Sequence, residues 1–523
     1  MNIRRLITLA IFPVLSACGG SNPDDGPAVQ SIQSSASEAS APVAKAGPDT
    51  AALQLLGKHV FFDSISNPPR QACVSCHVPE MGWTGKVPAV NKRGVAIPGA
   101  NPHTVGGRKP PASAYAKFSP PFGTVNPPGI TFIPDGAGCS LGIGPFCVGG
   151  VFWDGRAEGR GTLGPVFPGA TASVGQEIFG GLDGAVATSF AGFLGPLADQ
   201  ALGPFGNDVE QNVPPNPNDP AGLDGATSVC EHVKSAKYAE LYSKAYGGVK
   251  LDCSAASVGT SFKRIALAIS AWQHSDEVSP FNSARDKCAK DSAGNIVFPC
   301  AGLSDQANLG HDIFYGLNTT GRNRLVNNVP LNANCAVCHN SGRSAFAAQP
   351  STGNEPRQLY TDHAYHNIGL PPNFEIENFN PSDPDPGIGR HADPANPLGN
   401  AMAGHVKTPT LRNVDKRRGN VAKAYMHNGY FKTLEDVVHF YNTAAEPAKV
   451  NAANCAPGTT AAQARARNCW PAPEISNATS RGLLFGRLGL TPQEEAALVA
   501  YMKSFSDTSD VKAPSPYKPT GDK

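Results

Sequence analysis

The sequence predicts a mainly α-helical chain with long loops, organised as two similar domains in tandem. Three observations carry this. A Cys-x-x-Cys-His string occurs twice, at Cys73–His77 and Cys335–His339, 262 residues apart. A matching apolar lead-in precedes each: Leu55-Leu56-Gly57-Lys58-His59-Val60-Phe61-Phe62 and Asn308-Leu309-Gly310-His311-Asp312-Ile313-Phe314-Tyr315. Both space their apolar residues as one face of a short helix does. Glycine (56) and proline (48) are abundant among the 523 residues, which favours ordered loops around modest helices over a dense bundle.

The amino end comes first. Arg4 and Arg5 form a positive region, Leu6 to Leu15 a short apolar stretch, and Leu15-Ser16-Ala17-Cys18 resembles a bacterial lipobox. The pattern is that of a cleaved signal peptide over residues 1–18, leaving Cys18 as a lipid-modified amino terminus. An ordinary signal peptide cut nearby is the rival; either way the mature chain lies outside the cytoplasm. The expected location is the periplasm, with the lipidated Cys18 anchored in the outer membrane. Residues 19–50, rich in Ser, Ala, Pro and Asp, read as a flexible tether. With 43 basic and 42 acidic residues, nothing points to nucleic acid. No later apolar run is long enough to cross a bilayer as a helix.

Thirteen cysteines are many for this length. Cys73, Cys76 and His77, and again Cys335, Cys338 and His339, have the spacing that lets two thiols add across the vinyl groups of one haem. The adjacent His is then held beneath the iron as its proximal ligand. A thioredoxin-like redox pair does not require that His, and zinc would want a second nearby ligand pair. The cofactors expected are two covalently bound haem c groups, and the two domains read as cytochrome c-like. Eight further cysteines fall along the chain as four close pairs. An oxidising compartment permits Cys139–Cys147, Cys230–Cys253, Cys288–Cys300 and Cys455–Cys469 disulfides, each stapling a loop with few apolar residues.

The expected boundaries follow. Residues 51–274 form the first haem domain, 275–302 a loop-like link, 303–510 the second haem domain and 511–523 a tail. Thr491-Pro492-Gln493-Glu494 is a capping box with Pro at the first helical position. The apolar residues Ala496, Leu498, Val499, Met502 and Phe505 then recur at helical spacing, a face expected to pack on the partner helix beside the haem.

The order of motifs resembles the bacterial di-haem cytochrome c peroxidase superfamily, including its MauG-type branch. The resemblance is carried by the two haem strings, Phe152-Trp153-Asp154-Gly155-Arg156, the stretch from Gln200 to Gln211, Thr408-Pro409-Thr410-Leu411-Arg412-Asn413, and Tyr425-Met426-His427-Asn428-Gly429. It covers most of residues 51 to 510. The resemblance implies that the amino-terminal haem is the peroxide site, with Gln200, Pro204 and Glu210 as its distal residues. Glu210 would accept a proton from one peroxide oxygen and return it to the other, and Gln200 would orient peroxide or water. Trp153 would lie between the haems as a route for electrons. Tyr441 stands where the family has a ligand Met, or the MauG-type Tyr, on the second iron. A phenolate there stabilises oxidised iron and lowers the potential.

Three departures matter. Trp153 and Gln200 are 47 residues apart, against about ten in the family, so an insertion of about 37 residues lies within 157–199. It could line either the site entrance or a partner surface. Reductively activated members have a removable His ligand about 16 residues after the first string. Here His103 lies 26 residues after His77, and an open first haem is expected. The family's inter-haem calcium uses an Asn whose position is taken by Lys109 in Gly107-Arg108-Lys109-Pro110-Pro111. A cationic side chain ligates calcium poorly, so calcium is doubtful.

The leading functional expectation is a di-haem c-type peroxidase that reduces hydrogen peroxide. Its electrons would come from a small redox protein, a cytochrome c or a cupredoxin, through the carboxy-terminal haem. The alternatives are a MauG-like oxidase of a protein or large organic substrate, and a non-catalytic electron-transfer cytochrome. The last predicts two six-coordinate haems and no peroxide reactivity, and Glu210 and Gln200 argue against it.

Overall fold

Each lead-in to a haem string becomes a helix because its ends are capped and its apolar face is buried. Asp49 accepts hydrogen bonds from the N–H groups of Ala51 and Ala52 and starts the first helix. Ser304 does the same for the second through the N–H of Ala307. The computed structural model describes residues 47–85, 98–126, 131–134, 146–159, 184–213, 223–317, 325–326, 329–330, 335–341, 353–377, 379–446, 455–476, 481 and 485–516. The signal segment, most of the tether and Cys18 lie outside these residues.

The helices among the described residues are α1 (Thr50–Phe62), α2 (Cys73–Cys76), α3 (Gly184–Ser189), α4 (Pro196–Gln200), α5 (Gly203–Gly206), α6 (Leu223–Ser235), α7 (Glu240–Ala245), α8 (Val258–Gln273), α9 (Asp305–Phe314), α10 (Gly389–Ala392), α11 (Leu434–Thr443), α12 (Ala461–Arg467) and α13 (Pro492–Lys503). None is long and apolar enough to cross a membrane. Sheet is sparse. Strands β1 (Gly123–Asn126), β2 (Thr131–Pro134) and β3 (Phe146–Val148) make an antiparallel sheet in the order β2-β1-β3, with Gly123 opposite Pro134 and Val148. Two two-stranded ladders complete it: β4 (Leu325–Val326) with β5 (Val329–Pro330), and β6 (Tyr365–His366) with β7 (Val406–Lys407).

The internal repeat is visible in the packing. Helix α1 crosses α8 at Gly57, where a Cβ would overlap the carbonyl of Ala268. Helix α9 crosses α13 at Gly310, where a Cβ would overlap the carbonyl of Ala497. The shared glycine of the two lead-ins is therefore the point of closest backbone approach in each half. A hydrophobic cluster surrounds each crossing. Leu53, Leu56, Val60, Phe262 and Ile265 are fully buried in the first, and Phe314, Phe440, Trp470, Tyr501 and Phe505 in the second. Each such side chain contributes roughly 1.5–3 kcal/mol relative to exposure. On α13 one residue departs from expectation. Ala496 is exposed and its neighbour Ala497 is buried, because the contact is made at the crossing point itself.

Residues 45–523 form one compact unit, without a bare link at 275–302. That segment is packed. Arg285 is fully buried and donates to the carbonyls of Gly353 (2.6 Å) and Glu355 (2.7 Å). Asp286 is paired with Arg412 through two hydrogen bonds. The end of the chain also returns to the first half. The Tyr115 hydroxyl donates to Asp507 at 2.7 Å, and Val511 packs against the first cluster. Disulfides join Cys230 to Cys253, Cys288 to Cys300 and Cys455 to Cys469, as their spacing suggested. Cys147 is also disulfide-bonded, and its expected partner Cys139 lies outside the described residues.

Candidate active site

The first haem string is a single helical turn. Ser75 Oγ accepts the Ala72 N–H at 3.1 Å, and the His77 N–H donates to the Cys73 carbonyl at 2.9 Å. The His77 ring is oriented by its Nδ1, 3.2 Å from the Trp83 carbonyl. A carbonyl can only accept, so Nδ1 carries the proton and Nε2 is left with its lone pair for a metal. Burial pushes His77 down to about 4, which keeps the imidazole neutral. Cys73 and Cys76 are free thiols. Burial and the charge of Glu210 push both up to about 12.

The distal candidates come from the α4–α5 region. Pro196 opens α4, which ends at Gln200, and Pro204 lies in the first turn of α5. The Pro204 carbonyl takes the Gln211 N–H at 3.1 Å, while Glu210 donates its N–H to Asn207 at 3.0 Å. Gln200, Pro204 and Glu210 line one cavity with Cys73, Cys76, His77 and Trp153, about 1700 Å³ of empty space partly open to solvent. Burial raises the Glu210 carboxyl to about 6, against a smaller lowering by Arg156. The residues fit a haem with a distal ligand. Two unpaired thiols and an imidazole with one nitrogen committed line the cavity, and so do the buried, unpartnered carboxamide of Gln211 and the unpartnered Oε1 of Gln273.

Trp153 belongs to a tight turn closed by the Val151 N–H to the Ala157 carbonyl at 3.0 Å. Gly155 has φ +75, and a Cβ there would overlap the Tyr365 hydroxyl. The indole Nε1 donates to the Lys109 carbonyl at 2.7 Å, and the Trp153 carbonyl accepts from the Lys407 N–H at 2.9 Å. Trp153 is thus held from both halves of the chain, its indole by Lys109 and its backbone by Lys407. Asp154 pairs with Arg108 (2.6 Å) and Arg156 (2.7 Å), and Arg108 also clamps Asp385. These flanking cations lower both carboxylates against the opposing effect of burial, Asp385 well below the usual range.

At the second string, His339 Nδ1 lies 2.8 Å from the Tyr360 carbonyl, the same proximal arrangement as at His77. Burial lowers His339, and burial with Cys338 raises Cys335 to about 12. Tyr441 is on α11, which Thr433 caps by accepting the Asp436 N–H. Its phenol is raised by burial and by Cys338 and Cys335, so it lies near both thiols. Its ring lies tilted against Phe485, with the centroids 4.8 Å apart. Met402, a methionine that could have ligated the second iron instead, is buried in a separate cluster with Phe122 and Tyr365.

His103 is exposed and does not line the cavity. Of the insertion, residues 160–183 lie outside the described residues. Its ends meet where the Gly159 N–H donates to Asp199 at 2.7 Å, and its Val186 and Phe190 are buried in the first cluster. Residues that sequence reasoning missed include Arg156, Gln211 and Gln273. Arg156 was legible within the Phe-Trp-Asp-Gly-Arg motif. Gln273 carries no signal, since it is one polar residue at the end of an apolar helix.

Residues 51–293 match the di-haem cytochrome c peroxidase family. That segment contains the first haem string, and the second, Cys335–His339, lies beyond it. It is 26% identical over 471 residues to the methylamine utilization protein MauG of Paracoccus denitrificans, covering 88% of this chain and 90% of that protein. It shares its fold with the diheme peroxidase BthA of Burkholderia thailandensis. The TM-score is 0.55 for BthA itself and 0.58 for a Tyr-to-Met variant, at 22% identity and with 90% of this chain and 91% of that chain covered.

Proposed function

We propose that the chain is a di-haem peroxidase that reduces hydrogen peroxide at the His77 haem, with electrons relayed from the His339 haem past Trp153. The observation that carries this is the single cavity lined by Cys73, Cys76, His77, Gln200 and Glu210. Its haem, when bound, supplies the iron that receives peroxide and two electrons. The chain's own groups handle the protons. Glu210, raised to about 6, is mostly ionised at neutral pH and can take a proton from one peroxide oxygen and return it to the other. Gln200, lining the same cavity, would orient peroxide or water there. Pro204 fixes the loop that carries Glu210, through its carbonyl bond to the Gln211 N–H. Two protons and two electrons convert one peroxide to two waters. Tyr441 would hold the second iron through its phenolate, a ligand that would favour oxidised states.

Electrons enter at the second string, where Val337 is 46% exposed, from a cytochrome c or cupredoxin. The enzyme works in the periplasm, tethered through Cys18. A second reading, oxidation of a protein or large organic substrate, is supported by the likeness to MauG over most of the chain. The test is to mix the purified diferric protein with peroxide, following the haem spectrum and turnover with a reduced donor. Turnover with the donor is expected. A spectrum inert to peroxide would refute both readings and leave an electron-transfer cytochrome. A spectral reaction without donor turnover would favour the second.

A further inference from the structure

The superfamily's inter-haem calcium does not fit the residues of this chain. Calcium takes six to eight oxygen ligands at about 2.3–2.6 Å. Lys109, at the position of the family's Asn, brings an ammonium instead, which donates to Thr84 Oγ1 at 2.6 Å. Its carbonyl is taken by the Trp153 indole and its N–H by the His427 carbonyl, each at 2.7 Å. Nearby, three carbonyls of the kind calcium would use converge on another ammonium. Lys423 Nζ donates to Met81 (2.9 Å), Asn413 (2.7 Å) and Lys416 (3.1 Å). Lys407 Nζ likewise holds the carbonyls of Gly149 (3.0 Å) and His363 (3.2 Å).

We propose that Lys109, backed by Lys423, is a built-in replacement for the inter-haem calcium, a positioning residue that ties the loop after His77 to Trp153. The connection is short. Thr84 follows Trp83, whose carbonyl orients His77, and it forms a ladder pair with Val78 next to His77. Thr84 accepts from Lys109, and the Lys109 carbonyl holds the indole. One residue therefore touches the proximal loop with its side chain and the tryptophan with its backbone. The charge is retained at neutral pH, since burial lowers Lys109 only to about 8. Burial and the neighbouring Lys109 push Lys423 down, and its three carbonyl acceptors hold its Nζ in the seam beside Lys109. The inference does not depend on which substrate is oxidised.

The experiment uses the purified diferric holoprotein, incubated in millimolar calcium chloride and desalted. Elemental analysis is expected to find well under one calcium per two irons, and a calcium chelator should leave the EPR spectrum unchanged. Lys109→Met keeps the backbone carbonyl for Trp153 and removes the charge. It should shift the first haem's EPR signal and move its potential in the negative direction, because a buried cation favours the reduced iron. Lys109→Arg should restore both. Should the Met variant fail to load two haems, Thr84→Val, which deprives the ammonium of its acceptor but keeps the charge, is read by the first haem's EPR signal. Stoichiometric calcium in the wild type, or a variant with unaltered EPR signal and potential, would overturn the proposal.

Discussion

Replacing Glu210 with Gln is the sharpest perturbation of the proposed mechanism. The side chain keeps its size, so both haems should load normally and the ferric spectra should be preserved. What disappears is the proton carrier. A lost general acid–base costs about 100-fold or more, or roughly 2.7 kcal/mol of barrier. The structure adds a pH signature. With Glu210 raised to about 6, about nine-tenths of it is ionised at pH 7 and about one-tenth at pH 5. A base works only when deprotonated, so the wild-type rate should fall about tenfold from pH 7 to pH 5 on this titration. The Gln variant should lose that acid limb altogether. Removing Arg156, whose charge lowers Glu210, should move the limb to higher pH and slow the reaction at pH 7. The assay is stopped-flow mixing of diferric protein with excess peroxide between pH 5 and 8. A Gln variant that reacts at the wild-type rate, or that keeps the acid limb, would refute the role of Glu210.

Other outcomes follow from the same geometry. Mass spectrometry after acid-acetone extraction should show two haems held by thioether bonds, and replacing Cys335 and Cys338 by Ser should remove one; a wild-type chain with one haem or none would end the di-haem argument. In Tyr441→Met the second haem should be easier to reduce and lose its phenolate signature in resonance Raman, whereas methionine signatures already present in the wild type would exclude Tyr441 as ligand. Gly310→Ala should destabilise the fold by about 1–3 kcal/mol or more through overlap with the Ala497 carbonyl, although helix propensity alone favours Ala by about 1 kcal/mol; denaturant titration gives the sign.

Much of the first site was legible because its chemistry is local or ordered along the chain. A haem string needs adjacent residues, and the Gln200–Pro204–Glu210 spacing survives inside one short stretch. The repeat was legible too, down to the glycine at which each lead-in is crossed. What sequence could not reveal depends on contacts between distant segments. Lys407 meets Trp153 only because the β6–β7 ladder brings residues around 365 and 406 together. Ala497 and not Ala496 is buried because the crossing fixes the helix rotation, which a loose apolar period does not. The link at 275–302 looks like a loop by composition, and it is one. It is nevertheless immobilised by a buried arginine, Arg285, and by the Asp286–Arg412 pair, neither of which periodicity can foresee.

The hydrogen bond from Tyr115 to Asp507 makes the first site answerable to the last part of the chain. Tyr115 lines the cavity, and its acceptor is four residues beyond α13. Trimming by a protease after Lys503 would spare both haem strings, Glu210 and Trp153, yet unlatch one wall of the cavity. The same holds during synthesis, when the residues that attach haem emerge long before the one that steadies Tyr115. That wall of the cavity is thereby steadied only once residue 507 is in place.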